Sequence, residues 1–76
     1  MEKFTITKFT PIQPNVLIAR LLMSQGNERH SRVKIMVRKS EQKPGGVLEV
    51  RGKNALSGAP VIGHFEPGGS GWIAYP

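Results

Sequence analysis

Basic residues are concentrated in the middle of this 76-residue chain. The segment 29–53 contains eight of the eleven Lys and Arg residues but two of the five Glu residues, so it accounts for the whole net charge of +6. Lys and Arg that neutralise a phosphate backbone release its condensed counterions, which favours binding. The segment therefore predicts contact with the backbone of DNA or RNA. The residues assigned to this contact are Arg29, Arg32, Lys34, Arg38, Lys39, Lys43, Arg51 and Lys53.

Part of this segment has the alternation of a β-strand. The run 32–38 carries Val or Ile at every second position and mainly basic residues between them. Successive side chains of a strand point to opposite faces, so Arg32, Lys34 and Arg38 are predicted to share one face at roughly 6.5 Å per two-residue step. The other basic residues are expected in adjacent loops. A solvated strand face that discourages edge-to-edge pairing explains the same pattern, as does a surface that docks on an acidic protein.

Few aromatic side chains are present that could stack on an unpaired base. The chain has three Phe, one Trp and one Tyr, and we expect Phe4 and Phe65 in the core. Trp72 and Tyr75 are three residues apart, so a strand would place them on opposite faces, one buried and one exposed. Either ring could serve as a stacking platform. No set of Asn, Gln and Arg is visibly arranged for base edges, so we expect low sequence specificity.

Histidine chemistry has little support in the composition. The chain has no Cys and no Asp, so a metal site would need both His residues together with Glu, and we predict neither a metal nor a cofactor. His30 with Glu28 and either Arg29 or Arg32 could supply the acid, base and cations of a small metal-independent ribonuclease. Neighbours in sequence are weak grounds for catalytic alignment, so the ribonuclease is a second alternative to a non-catalytic binding module.

Several short strands must position these side chains. The sequence predicts strands at 3–10, 32–38, 47–51, 61–65 and 72–75, separated by loops rich in Gly, Pro and polar residues. In the first strand, alternation puts Phe4 and Ile6 on one face and Phe9 on the other. The residues 39–46 and 52–60 are predicted loops, and 66–71 is a predicted hairpin loop. Five or six short strands about ten residues apart indicate a mainly β protein, a small antiparallel sheet or barrel.

One apolar run is ambiguous between strand and helix. Residues 16–23 are apolar on both faces apart from Arg20, as in a central strand. A short helix over 16–25 is the alternative, with Asn15 as its N-cap and Gly26 just after its end. Short apolar runs cannot be separated by periodicity alone.

Length and composition set the remaining limits. The 76 residues suffice for one small basic domain, 1–76, and the absence of Cys excludes a disulfide framework. No apolar run approaches the roughly 20 residues of a membrane span, and we expect a soluble, cytoplasmic protein without membrane contact. A domain of this size has little stability to spare, which makes homo-oligomerisation a natural supplement. The main alternative function is a phage- or mobile-element-type regulator or inhibitor that docks on an acidic partner surface.

Overall fold

A computed structural model describes residues 2–22 and 31–76, which form a mainly β structure. One 3-10 turn, Pro44–Gly46, interrupts the strands. The predicted fold class is confirmed, and the helix alternative is wrong for the described part of 16–25, because these residues pair as a strand on both sides. The strands are β1 (Glu2–Gln13), β2 (Val16–Leu21), β3 (Arg32–Lys43), β4 (Val47–Asn54), β5 (Pro60–Phe65) and β6 (Gly71–Tyr75).

The strands close into a barrel in the order of the sequence. Each strand is antiparallel to the next, and β1 also pairs with β6. The two 12-residue strands, β1 and β3, make this closure, because each pairs with one neighbour through its first half and with the other through its second half. Closure leaves none of the six described strands at a sheet edge.

Apolar side chains that point inward from all six strands fill the barrel interior. Val33, Ile35 and Val37 alternate inward on β3 as the sequence predicts. Phe65 is fully buried, and its ring packs directly over Gly63. A Cβ atom on residue 63 would lie 2.8 Å from two carbons of this ring. The buried cluster comprises Ile6, Leu17, Ala19, Ile35, Val50, Val61, Phe65 and Ile73.

A β-bulge changes the inward face of β1. Ile6 lies opposite Leu21, whereas Lys8 lies opposite Arg20, so Thr7 is one extra residue in β1. The prediction that Phe9 faces away from Ile6 is therefore wrong: the bulge returns Phe9 to the interior. There it stacks on Phe65 with the ring centroids 4.5 Å apart.

A second bulge lies in β3. Val37 pairs with Gly52 and Lys39 with Arg51, so Arg38 is the extra residue. The two backbones approach closely here: a Cβ on Gly52 would collide with the carbonyl oxygen of Met36. Bulges bend a strand and increase its local twist, which a small closed barrel requires.

The β3–β4 hairpin is longer than the sequence predicts. In the predicted loop 39–46, the residues as far as Lys43 belong to β3. In the predicted loop 52–60, the residues as far as Asn54 belong to β4. Gly45 and Gly46, with φ of 82° and 78°, form the tight connection, since residues other than Gly adopt such angles at a cost. Lys39, Lys43 and Lys53 therefore project from a rigid ladder and not from loops.

Candidate nucleic-acid interface

The carboxylates whose side chains the structure describes are gathered in one cluster. Lys43 Nζ lies 3.3 Å from Glu41 Oε1 and 3.8 Å from Glu49 Oε1. His64 Nδ1 lies 3.5 Å from Glu49 Oε2, and its Nε2 lies 3.1 Å from Glu66 Oε1. We call these five residues the acidic cluster. Lys43, which the sequence predicts to contact phosphate, is therefore ion-paired with Glu41 and Glu49.

The other predicted basic residues face no such partner. Among the described side chains of 3–22 and 31–76, no carboxylate forms a salt bridge with any Lys or Arg on the outside of β1–β4 other than Lys43. All of these side chains are exposed. Lys3 contacts the Trp72 ring. We call the other eight the basic face: Lys8, Arg20, Arg32, Lys34, Arg38, Lys39, Arg51 and Lys53.

The first part of the basic face is a row across three strands. Lys8 on β1 lies opposite Arg20 on β2, and Arg20 lies opposite Arg32 on β3. Directly opposed residues have Cβ atoms about 5 Å apart, and like charges in these positions are destabilising. The row borders a groove of about 310 Å³ whose other lining residues include Ile12 and Ile18.

Sequence reasoning missed two residues of this row. Lys8 and Arg20 lie outside the basic segment 29–53, and the register that joins them to Arg32 depends on the bulge at Thr7. The residue types carried one available signal: Arg20 interrupts an otherwise apolar strand, and a charge on the outside of such a strand requires solvent or a partner.

The second part of the basic face is on the β3–β4 hairpin. Lys39 lies directly opposite Arg51, again with like charges paired. Strict alternation would send Arg38 and Lys39 to opposite faces, but the bulge leaves both exposed on the outside. The three side chains line a depression of about 250 Å³ beside Pro60 and Ile62. The bulge thus adds a cation at this position.

Two lysines connect the parts of the basic face. Lys34 lies opposite Ile18, and Lys53 lies opposite Met36. Both alternate outward between the row at Arg32 and the pair at Lys39. The predicted contact Arg29, and the ribonuclease hypothesis built on His30, lie outside the described residues.

The two candidate stacking residues have different surroundings. The Trp72 indole lies on the outer face, where His64 stacks beside it at 5.3 Å with the planes 4° apart and Lys3 Nζ lies 4.3 Å from the ring centroid. Tyr75 packs edge-on against Phe4 at 5.9 Å, and its hydroxyl accepts a hydrogen bond of 2.9 Å from Asn54 Nδ2. Both rings are half-buried, contrary to the prediction of one buried and one exposed.

Two further features are absent from the described residues. They contain no group of three or more His, Cys, Asp or Glu placed to hold a metal ion. No helix within 2–22 and 31–76 is long and apolar enough to cross a membrane.

Comparison of the chain with protein-family models, with curated proteins and with solved structures finds no match in any of the three.

Proposed function

We propose that this chain is a non-catalytic binding module that contacts the phosphate backbone of nucleic acid through its basic face. The observation that carries the proposal is the opposition of like charges at Lys8–Arg20–Arg32 and at Lys39–Arg51. Each opposed pair costs folding free energy, on the order of a few tenths of a kcal/mol. A bound polyanion removes that repulsion, so binding recovers what folding loses.

The distribution of carboxylates supports this function over a merely solvated surface. Glu among the cations of the row Lys8–Arg20–Arg32 would relieve their repulsion, yet Glu41, Glu49 and Glu66 are placed around Lys43 and His64 instead. Protection of a sheet edge does not explain Arg20, Arg51 and Lys53, because each of them is paired with a strand on both sides.

The dimensions and chemistry of the basic face favour backbone contact with low sequence specificity. From Arg32 to Lys39, β3 extends roughly 20 Å, which matches about six phosphates of one B-form strand at 3.4 Å each. Lys and Arg on a rigid strand can follow this repeated charge. Contacts of this kind position a protein on nucleic acid and carry no direct base information.

The test is fluorescence anisotropy of labelled single- and double-stranded DNA and RNA, at low salt and near 0.15 M salt. We expect micromolar or tighter binding that weakens with salt. The double variant Arg20→Ala, Arg32→Ala should weaken binding and lower the slope of log K against log salt by about two. Lys43→Ala is the matched control, because Lys43 is already engaged by Glu41 and Glu49. It should weaken binding less than Arg32→Ala alone does, since both carboxylates offset its charge.

A second candidate is a regulator that docks on an acidic protein surface. The exposed Ile12 and Met36, 47% and 38% accessible, favour it, because they supply apolar area beside the cations. Charge complementarity in such a complex mainly steers association. Absence of nucleic-acid binding even at low salt would contradict the first proposal and leave this one.

A further inference from the structure

We infer that a groove between the basic face and Trp72 binds one unpaired base of a nucleic-acid strand, so that the favoured ligand is single-stranded. This inference rests on the proposed function and adds the class of nucleic acid to it. The groove measures about 400 Å³ and crosses the outer surface from β3 to β6. Lys39 and Arg51 line it together with Trp72, so cations and an aromatic ring border the same space.

The cationic part of the groove suits a phosphate. Lys39 and Arg51 are directly opposed across β3 and β4, and both side chains are exposed. A phosphate between them contacts two cations and removes their mutual repulsion. Arg can also bind two phosphate oxygens at once through its planar guanidinium group.

The Trp72 part of the groove suits a base. Trp72 has the largest apolar side chain in the protein, yet it lies outside the barrel, where its burial is incomplete. His64 stacks on it with a centroid distance of 5.3 Å and nearly parallel planes, which is an offset arrangement that covers part of the indole face. The offset leaves the rest of the indole uncovered by His64, and Ile62 lines the groove beside the indole.

Lys3 does not block the groove. Its ammonium group lies 4.3 Å from the indole centroid, and the Lys3 side chain is exposed on β1. Lys3 reaches the indole from β1, whereas the groove lies on the β3–β5 side of Trp72 and is not lined by Lys3. A base in the groove therefore does not have to displace the ammonium group.

The acidic cluster gives the groove a direction. Glu41 and Glu49 line the groove with the cations and the indole. Carboxylates repel phosphate, so the phosphate is confined to Lys39 and Arg51 and the base is left toward Trp72. A base inside a duplex has both faces covered by its neighbours, whereas a single strand can present one to an aromatic ring.

The test uses the emission of Trp72, the one tryptophan of the chain. A single-stranded DNA nonamer of mixed sequence and a hairpin duplex containing the same nine bases are titrated into the unmodified protein. We expect the single strand to quench the emission by about half at saturation through stacking, and the duplex to leave it nearly unchanged. Anisotropy of labelled forms of both probes reports binding independently of the quenching.

A variant separates stacking from charge. Trp72→Leu should weaken single-strand binding about tenfold and leave duplex binding within about twofold. Lys8→Ala is the matched control: it should weaken binding of both probes while the saturating quench persists, since Lys8 lies outside the groove. Circular dichroism checks that each variant is folded, and the quench in the unmodified protein needs no variant.

The outcomes distinguish the two proposals. Salt-dependent binding of the single strand without quenching overturns the groove inference and leaves the proposed function standing. Equal quenching by the duplex also overturns it, because a paired base would then suffice. Failure of both probes to bind, even at low salt, overturns the proposed function and the groove together.

Discussion

Arg20 on β2 lies directly opposite Arg32 on β3, and Lys8 lies opposite Arg20 on its other side. Three cations in a row between neighbouring strands repel one another, and the described part of the chain places no carboxylate within salt-bridge distance of them. Such an arrangement lowers the stability of the free protein, and under the proposed function a bound polyanion removes the repulsion. It makes stability and binding respond in opposite directions to one substitution.

Arg20→Glu should raise the free energy of unfolding by about 0.5 kcal/mol, because two like-charge pairs become opposite-charge pairs. The same change should weaken nucleic-acid binding at least about tenfold, since it alters the charge of the row by two. Unfolding is measured in urea, which does not screen charge, and binding by anisotropy. Lys43→Glu is the comparison: it adds a carboxylate to the acidic cluster and should lower stability. A loss of stability in Arg20→Glu would contradict the repulsion argument.

Gly52→Ala should destabilise the barrel by about 1–3 kcal/mol, because its Cβ would collide with the Met36 carbonyl oxygen across the β3–β4 ladder. Gly68→Ala is the matched control. A Cβ there meets nothing within 4 Å, and its backbone is outside the positive-φ set. Its free energy of unfolding, measured in urea, should stay within about 0.5 kcal/mol of the unmodified protein. Equal losses of stability in the two variants would show that the close approach of the backbones at Gly52 does not exclude a side chain there.

Gly63→Ala should also lower stability, by about 1–3 kcal/mol, because the new methyl group would lie 2.8 Å from the Phe65 ring. Phe65→Leu alone should be destabilising through the loss of ring volume in the core. In the double variant the smaller side chain makes room for the methyl group, so the total loss should be less than the sum of the two single losses. A double-mutant cycle of urea unfolding measures this coupling. Additive losses would argue against the packing of the ring over Gly63.

Glu49→Leu should change the preference of the groove among bases. The Glu49 carboxylate can accept a hydrogen bond from the exocyclic amino group of cytosine, which thymine lacks, and Leu removes that acceptor. We expect the unmodified protein to prefer oligo(dC) over oligo(dT) by about fivefold, the effect of one hydrogen bond, and the variant to lose that preference. Glu66→Leu is the control, because Glu66 contacts His64 without lining the groove. A preference that persists in Glu49→Leu would place the source of base discrimination elsewhere.

The sequence predicts the strands of this protein better than it predicts their register. The alternation of Val33, Ile35 and Val37 identifies β3 and its outward cations because a period of two has one structural meaning. The bulges at Thr7 and Arg38 have no comparable signal in the sequence. Many polar residues of an exposed strand could equally be the extra residue of a bulge. The positions of Phe9, Lys8 and Arg20 depend on these bulges, which is why the first row of the basic face was not predicted.

The site is predictable to a similar degree. Charge density predicted candidate residues on β3 and β4 that the hairpin brings near one another, because neighbours in a hairpin are close in sequence as well as in space. It could not show that Lys43 pairs with Glu41 and Glu49, since that contact depends on which side chains face outward together. Nor could it show that Trp72 borders the same groove as Lys39 and Arg51, which lie more than 20 residues earlier.

Among the described residues, the acidic cluster and the row at Arg32 place opposite charges toward the two ends of β3. The cations of β1–β3 lie toward one end of β3, and Glu41 lies near its other end. A diffusing polyanion would turn the molecule before contact, so that the positive pole meets it first. Orientation of this kind raises the association rate more than it slows dissociation, and salt should diminish it.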